Sequence, residues 1–135
     1  MIKFLNKEIV LAFHQDQLNL YGGKSQVRDE KLLESALAQP EATFEGDYVH
    51  TDLFQMAAAY GFHLCQNHPF YDGNKRIALI AMYTFLYVNG YQIKADKKSL
   101  YAIVMDLASG KVGKAELAEY LKKHSSKRAS NKTNQ

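Results

Sequence analysis

The sequence predicts an all-α protein, a compact bundle of about six helices with one small β flap. Apolar residues recur three or four positions apart in several segments, which begin at capping residues and end at glycine or shortly before proline. Residues that favour β-strands flank a Gly-Asp turn at one place, residues 43–49, which is too short to make a sheet by itself. Helices therefore have to supply the core.

The first two helices are predicted in the amino-terminal third of the chain. Asn6 can cap the first helix, and Gly22 and Gly23 can end it. The second helix covers residues 29–38 and stops before Pro40, because proline disfavours helical conformation in the residue that precedes it.

Two apolar helices are predicted for the middle of the chain. Thr51 can cap a helix that continues to Asn67 and is apolar nearly all round, which places it in the centre of the bundle. Residues 77–88 contain a single polar residue, Thr84, and this run is shorter than the ~18 apolar residues that a membrane span requires. We therefore expect a second buried helix here.

Two further helices are predicted in the carboxyl-terminal third. An extended piece at residues 91–94 precedes a helix that Asp96 caps and that runs to Ser109. The last helix covers residues 114–124.

The net charge of +3 is concentrated at the carboxyl end of the 135-residue chain. Residues 122–135 hold five basic residues and no acidic ones, so the rest of the chain is close to neutral. We predict one folded domain over residues 1–124 and a solvated basic tail over residues 125–135. A nucleic-acid binder carries its basic surface on the folded domain, so no direct nucleic-acid partner is expected.

Two features favour a cytoplasmic location. Residues 1–10 lack the charged start, apolar segment and cleavage site of a signal peptide. Cys65 is the single cysteine and cannot form an internal disulfide. We expect a cytoplasmic protein without a membrane partner.

The loop His-Pro-Phe-Tyr-Asp-Gly-Asn-Lys-Arg at residues 68–76 holds more polar groups than a turn needs. Lys75 and Arg76 fall in the first turn of the following helix, an end that already carries partial positive charge. Two cations there are unfavourable unless an anion binds, and Gly73 lets free backbone N–H groups converge on one. The pattern indicates a binding site for phosphate groups.

The same loop supplies further candidate residues. Asp72 can hold Mg²⁺, which commonly bridges a carboxylate and phosphate oxygens. His68 ends the preceding helix because Pro69 follows it, and it can accept a proton from an attacking hydroxyl. The apolar Phe70 is expected to anchor the loop in the core. Together these residues favour phosphoryl or nucleotidyl transfer.

The polar residues of the loop and its surroundings have other interpretations. A histidine at a helix end is more often structural, and Asp-Gly-Asn is also an ordinary turn. A Walker A loop would need a first glycine and a preceding strand, which are missing. A zinc site from His63, Cys65 and His68 fails because one thiol is available and the histidines span a helix end. The pattern gives no role to three other histidines, His14, His50 and His124.

Residues 68–76 resemble the signature loop of the Fic/Doc superfamily, and the resemblance covers roughly residues 9–121. Lys75 is the variant that resembles the Doc ("death on curing") toxins, since adenylylating Fic enzymes have glycine there. Leu79 stands where the adenylylating relatives have a second arginine. Both departures imply an inverted nucleotide whose γ-phosphate faces the acceptor.

The resemblance implies the Fic fold and a toxin of a toxin–antitoxin system that acts as a protein serine/threonine kinase. It implies ATP and Mg²⁺ as cofactors, a threonine of translation elongation factor Tu as the acceptor, and inhibition by a separate cognate antitoxin. His68 would be the general base, Asp72 the Mg²⁺ ligand and Phe70 the loop anchor. The phosphate-binding residues would be Gly73, Asn74, Lys75 and Arg76. Nucleotidyl transfer of the Fic type and a catalytically idle module that binds a partner helix are the alternatives.

Residues 43–49 fall where the family has a flap, which can pair with an extended target segment by strand addition. The residues of this predicted flap are Thr43, Phe44, Glu45, Gly46, Asp47 and Tyr48. An ordinary connecting loop is the alternative interpretation.

Overall fold

The structure is a computed structural model that describes residues 1–24 and 26–129. Within them the six α-helices are α1 (Lys7–Tyr21), α2 (Glu30–Ala38), α3 (Leu53–Asn67), α4 (Asn74–Val88), α5 (Lys97–Ala108) and α6 (Lys114–Lys123), and a 3₁₀ turn, Gln39–Glu41, follows α2. Short strands form two antiparallel pairs, β1 (Thr43–Phe44) with β2 (Asp47–Tyr48) and β3 (Tyr91–Ile93) with β4 (Ser125–Lys127). The predicted all-α bundle with a small β flap is confirmed.

Short polar side chains begin several of the helices. Asn6, Asp29 and Asp96 cap α1, α2 and α5, and each accepts the backbone N–H three residues further on. The cap of α3 is Asp52, whose Oδ1 accepts a backbone N–H of the first turn at 2.8 Å. The prediction of Thr51 as the N-cap is therefore wrong by one residue. The carboxylate is the better cap here because it also neutralises the partial positive charge of the helix end.

Helix α3 lies at the centre of the bundle and packs against α2, α4, α5 and α6. Both α3 and α4 bury large side chains completely, among them Tyr60, Ile77 and Phe85. Gly61 lets the two helices approach closely, because a Cβ at this position would overlap the sulfur of Met82. In the described part of the chain, no helix combines the length and the apolar character needed to cross a membrane.

The folded domain extends past its predicted end at residue 124. Strand β4 pairs with β3, and beyond it the Arg128 backbone N–H donates to the Gly90 carbonyl at 2.8 Å. The Arg128 guanidinium also lies 4.1 Å from the centre of the Tyr87 ring. The backbone N–H and C=O groups at the edge of β3 need hydrogen-bond partners, and the residues that follow α6 supply them. This pairing extends the domain. The first residues of the predicted tail are therefore part of the folded domain. Residues 130–135 of the predicted tail lie outside the described residues.

The buried hydroxyl of Tyr60 ties the amino-terminal segment to the core. It accepts the Leu5 backbone N–H at 2.8 Å, and burial raises the pKa of Tyr60 above its usual value. Tyr60→Phe would leave this N–H buried without a partner, which costs about 1–3 kcal/mol. We expect the free energy of unfolding in urea to fall by that amount.

Tyr87→Phe is the matched control, because Tyr87 is 41% exposed on α4. Its hydroxyl makes no hydrogen bond within the described residues, so its loss should change stability by less than about 0.5 kcal/mol. Equal losses in the two variants would contradict the structural role of the Tyr60 hydroxyl.

Candidate active site

The loop between α3 and α4 begins with a strained residue. His68 ends α3 with a φ of 49°, in the left-handed region that residues other than glycine rarely adopt. Arg28 holds this turn, since its Nε donates to the His68 carbonyl at 2.7 Å and its Nη2 donates to the Asn67 carbonyl at 3.0 Å. These bonds satisfy two carbonyls at the end of the helix. The His68 side chain is exposed.

The next residues of the loop pair with the segment that precedes α2. The Pro69 carbonyl accepts the backbone N–H groups of Arg28 and Asp29 at 2.7 and 3.1 Å. Val27 and Phe70 form an isolated antiparallel bridge. Main-chain bonds therefore fix the loop directly after His68.

Phe70 and Asn74 are the buried residues of the loop, and hydrogen bonds join them. Phe70 is fully buried. Asn74, also buried, accepts the Phe70 N–H through Oδ1 at 3.0 Å and donates through Nδ2 to the Phe70 carbonyl at 2.8 Å. Asn74 is one of the predicted phosphate-binding residues, but both polar ends of its side chain are bonded to the Phe70 backbone. Its backbone N–H is the group that can face a ligand.

His14 of α1 belongs to the site, although the sequence analysis gave it no role. Its ring stacks on Phe70 with centroids 3.9 Å apart, and its Nε2 lies 3.0 Å from the Asp72 carbonyl oxygen, to which it can only donate. The side chain is 3% exposed. One signal could have found it: His14 follows Val10 by one helical turn, and a polar side chain on the buried face of a helix requires a partner.

The Asp72 carboxylate is held by the turn that follows α1. Its Oδ2 accepts the Lys24 backbone N–H at 2.9 Å. Gly23 passes so close that an added Cβ would lie 3.3 Å from the Asp72 Cβ. Within residues 1–24 and 26–129, Oδ1 has no hydrogen-bond partner, and the residue is exposed. One free carboxylate oxygen is thus presented just before α4.

This arrangement fits Mg²⁺. The ion prefers oxygen ligands and keeps several waters, so one carboxylate together with phosphate oxygens is sufficient to hold it. Among the described residues, no group of three or more His, Cys, Asp or Glu side chains could hold a metal ion. An ion at Asp72 would therefore take its other ligands from water and from a bound phosphate chain.

The first turn of α4 is open to an anion. Gly73 caps the helix with a φ of 88° and has no side chain that could accept a hydrogen bond. The first internal bond of the helix runs from the Ile77 N–H to the Gly73 carbonyl at 2.9 Å, so the three preceding N–H groups have no partner within the helix. Lys75 and Arg76 add two positive charges, and the Arg76 guanidinium lies 4.3 Å from the centre of the Tyr21 ring.

A cavity of about 560 Å³ lies at this helix end, and we call it the loop cavity. Its loop side is lined by the predicted site residues His68, Asp72, Gly73, Asn74, Lys75 and Arg76, together with Cys65 and Tyr71. Its other wall comes from α5 and the residue after it, with Tyr101, Met105, Ala108 and Ser109. Sequence reasoning missed this wall, because its residues carry no charge and lie at ordinary helical spacing. Burial raises the pKa of the Cys65 thiol to about 11, so the thiol stays protonated at neutral pH.

The predicted flap segment is the β1–β2 hairpin. Thr43 pairs with Tyr48, and the chain turns at Glu45 and Gly46. Phe44 is 70% exposed. No described residue of the hairpin lines the loop cavity, so the structure does not place the flap and the loop in one pocket.

Comparison of the chain with known proteins identifies a family and two relatives. Residues 4–86 match the Fic/DOC family. A protein named Toxin Doc from Mycolicibacterium smegmatis is 42% identical over 96 residues, which are 71% of this chain and 72% of that protein. A protein named Protein kinase doc from Escherichia phage P1 is 28% identical over 122 residues, which are 90% of this chain and 95% of that protein. The chain belongs to the Fic/DOC family.

Proposed function

We propose that this protein is a Doc-type toxin that acts as an ATP- and Mg²⁺-dependent protein kinase. The observation that carries the proposal is the open first turn of α4, where Lys75 and Arg76 share one cavity with Asp72 and His68. The names of the two relatives, Toxin Doc and Protein kinase doc, support the same function.

The loop cavity suits the phosphate chain of ATP. The free N–H groups of the first turn of α4 can donate to phosphate oxygens, and the helix dipole favours negative charge at this end. Lys75 and Arg76, which are unfavourable at an empty helix N-terminus, become favourable when an anion binds. Asp72 would hold Mg²⁺ through its free Oδ1, and the bound ion would neutralise charge on the phosphates.

His68 is the proposed general base. As the acceptor hydroxyl attacks the γ-phosphorus, its proton passes to the imidazole, and the bond from the γ-phosphorus to the oxygen that bridges it to the β-phosphorus breaks. ADP leaves with the negative charge on that oxygen. The exposed position of His68 gives a protein substrate access, and the bonds from Arg28 hold the turn that carries the imidazole.

Two residues favour transfer of the γ-phosphate over transfer of the nucleotide. Lys75 lines the loop cavity at the position where adenylylating relatives have glycine. Leu79 is packed against the core and offers no charge in place of the second arginine of those relatives. A nucleotide seated as in the adenylylating enzymes would meet the Lys75 side chain and lack the arginine, which supports the inverted orientation.

The proposed acceptor is a threonine of elongation factor Tu, whose phosphorylation would block translation in the cytoplasm. The β1–β2 hairpin is exposed along its length, and Phe44 offers an apolar contact beside its backbone. Such a hairpin suits strand addition by an extended acceptor segment. A separate cognate antitoxin would hold the toxin inactive.

Labelled ATP tests the proposed reaction. Elongation factor Tu incubated with the protein, Mg²⁺ and ATP should gain label from the γ-phosphate and none from the α-phosphate. His68→Ala should reduce the rate by roughly 100-fold or more, as expected for loss of a general base. His124→Ala, which lies outside the loop cavity, should leave the rate unchanged. Label from the α-phosphate would instead show nucleotidyl transfer, and no label from either position would reject the proposed reaction.

Asp72→Asn tests the metal site. The amide keeps an oxygen for the Lys24 N–H but loses the negative charge that would bind Mg²⁺. We expect kcat to fall about 100-fold and the Mg²⁺ concentration for half-maximal activity to rise about tenfold. Asp16→Asn, at an exposed position of α1, is the control for loss of one carboxylate. An unchanged Mg²⁺ requirement in Asp72→Asn would place the metal elsewhere.

His14→Phe tests whether His14 positions Asp72. The new ring can keep the stack on Phe70 but loses the bond to the Asp72 carbonyl. We expect kcat to fall about tenfold, because a shift of ~1 Å at a reacting group can cost up to ~100-fold.

His124→Phe is the matched control for His14→Phe. His124 also stacks on an aromatic ring, that of Tyr120 at 4.1 Å, and its Nδ1 lies 2.9 Å from the Tyr120 carbonyl oxygen. The two variants should lose similar stability in urea, while only His14→Phe loses activity. Equal activity in the two variants would contradict the positioning role.

A further inference from the structure

Three basic side chains meet between α3, α6 and the loop that follows β2, and we call them the basic cluster. The Nζ of Lys114, the first residue of α6, lies 3.2 Å from the Nε2 of His50 and 3.1 Å from the Nε2 of His63. His50 is 7% exposed, and His63 and Lys114 are half-buried. The basic cluster therefore joins the start of α6 to α3 and to the segment that precedes α3.

The contacts with Lys114 require both imidazoles to be neutral. An ammonium carries three N–H donors and no acceptor, so each facing Nε2 has to be the acceptor and carry no proton. A proton on either Nε2 would place two donors and two positive charges at the same short distance. The hydrogen bond would be lost, and repulsion would replace it. The geometry thus makes these contacts sensitive to acid.

The surroundings of the two rings oppose their protonation. Burial lowers the pKa of His63 to about 4, and the charges of Lys114 and His50 add to this effect. Burial and the Lys114 charge also lower the pKa of His50, while the Gln39 carbonyl acts in the opposite direction. In the unfolded chain each imidazole has a pKa of about 6.5. The contribution of the basic cluster to stability is therefore complete above about pH 6.5 and is lost as the pH falls toward about 4.

The other groups that face the basic cluster supply no compensating ion pair. Glu119 lines a cavity of about 320 Å³ together with His50 and Lys114, but within the described residues it forms no ion pair with Lys114. The Phe62 ring lies 5.5 Å from the Nζ of Lys114 and attracts the ammonium whether or not the imidazoles are charged. Acid therefore acts on the basic cluster through the two imidazoles.

We propose that Lys114, His50 and His63 form an acid-sensitive latch, which holds the first turn of α6 at neutral pH and releases it when either histidine is protonated. Protonation breaks one of the two hydrogen bonds and leaves like charges in contact. The following turns of α6 stay packed on the core through Leu117 and Leu121, which are fully buried. Release is therefore confined to the start of the helix.

The latch also restrains one wall of the loop cavity. Residues 109–113 connect the start of α6 to the end of α5, and α5 forms that wall. After release, the first turn of α6 would no longer hold this connection, which includes Ser109 of the wall.

Amide hydrogen exchange of the full chain tests the release. The Leu117 N–H donates to the Gly113 carbonyl at 3.0 Å and closes the first turn of α6. We expect its protection factor to fall at least about tenfold from pH 7.5 to pH 5, because the released turn binds protons that the latched turn excludes. The Ile77 N–H, which closes the first turn of α4, is the internal control and should keep its protection. An equal fall at both amides, or no fall at Leu117, would overturn the proposal.

His63→Gln separates the latch from other effects of acid. The glutamine Oε1 can accept from Lys114 in place of the imidazole Nε2, and it does not titrate in this range. The fall in Leu117 protection should therefore be at least about threefold smaller than in the wild-type protein. An equal fall in folded His63→Gln would show that His63 is not part of a latch.

Lys114→Met tests the other partner. The variant removes the charge that opposes protonation and keeps an unbranched side chain of similar length. We expect the pKa of His63, measured by NMR of the full chain, to rise by at least about half a pH unit. Lys123→Met removes an exposed lysine from the last turn of α6 and should leave this pKa unchanged. The same His63 pKa in Lys114→Met and in the wild-type protein would contradict the latch.

Discussion

The paired hydrogen bonds between the Asn74 side chain and the Phe70 backbone are the constraint on which the site depends. The loop connects the two apolar helices of the bundle, and its buried backbone groups need partners that no regular strand supplies. Asn74 satisfies both polar groups of Phe70, while the ring of Phe70 fills the core and stacks on His14. Because Asn74 is also the first residue of α4, these bonds fix the loop relative to the helix end that carries Lys75. One side chain thus sets the position of His68 relative to the first turn of α4, the proposed site for phosphate.

The start of α4 lacks two stabilising features, of which each of the other helices has at least one. A polar N-cap side chain contributes ~1 kcal/mol, and an acidic residue in the first turn adds ~0.3–1 kcal/mol. Helix α4 has neither, and it carries two cations instead. Burial compensates, since a fully buried apolar side chain contributes roughly 1.5–3 kcal/mol and α4 buries several, including Ile77 and Phe85. A helix held by its apolar face can leave its first turn free for a ligand.

Local signals explain what the sequence could predict. The predicted helix ends lie within a residue or two of the observed ones. Capping residues such as Asn6 and Asp96 directly precede segments in which apolar residues recur at helical spacing, so the sequence marks where the helix begins. The loop residues are contiguous in the chain, so the sequence alone could predict that they lie together, and the loop cavity contains them. His14 and the α5 wall were missed because they reach the site from distant segments, and only the fold shows which ones meet. Strand β4 was missed for a related reason: Ser-Ser-Lys does not favour a strand, and the open edge of β3 decides its conformation.

Two helices of this protein begin with the same pair of features, a glycine cap and a lysine in the first turn, yet they do different things. In α6 the Glu116 carboxylate accepts the Gly113 backbone N–H at 3.0 Å, so the helix end already has its negative charge. Lys114 is then free to contact the two imidazoles. In α4 no acidic residue follows Gly73 in the first turn, and the end stays open for an anion. A single carboxylate three residues into the helix therefore separates the open start of α4 from the closed start of α6.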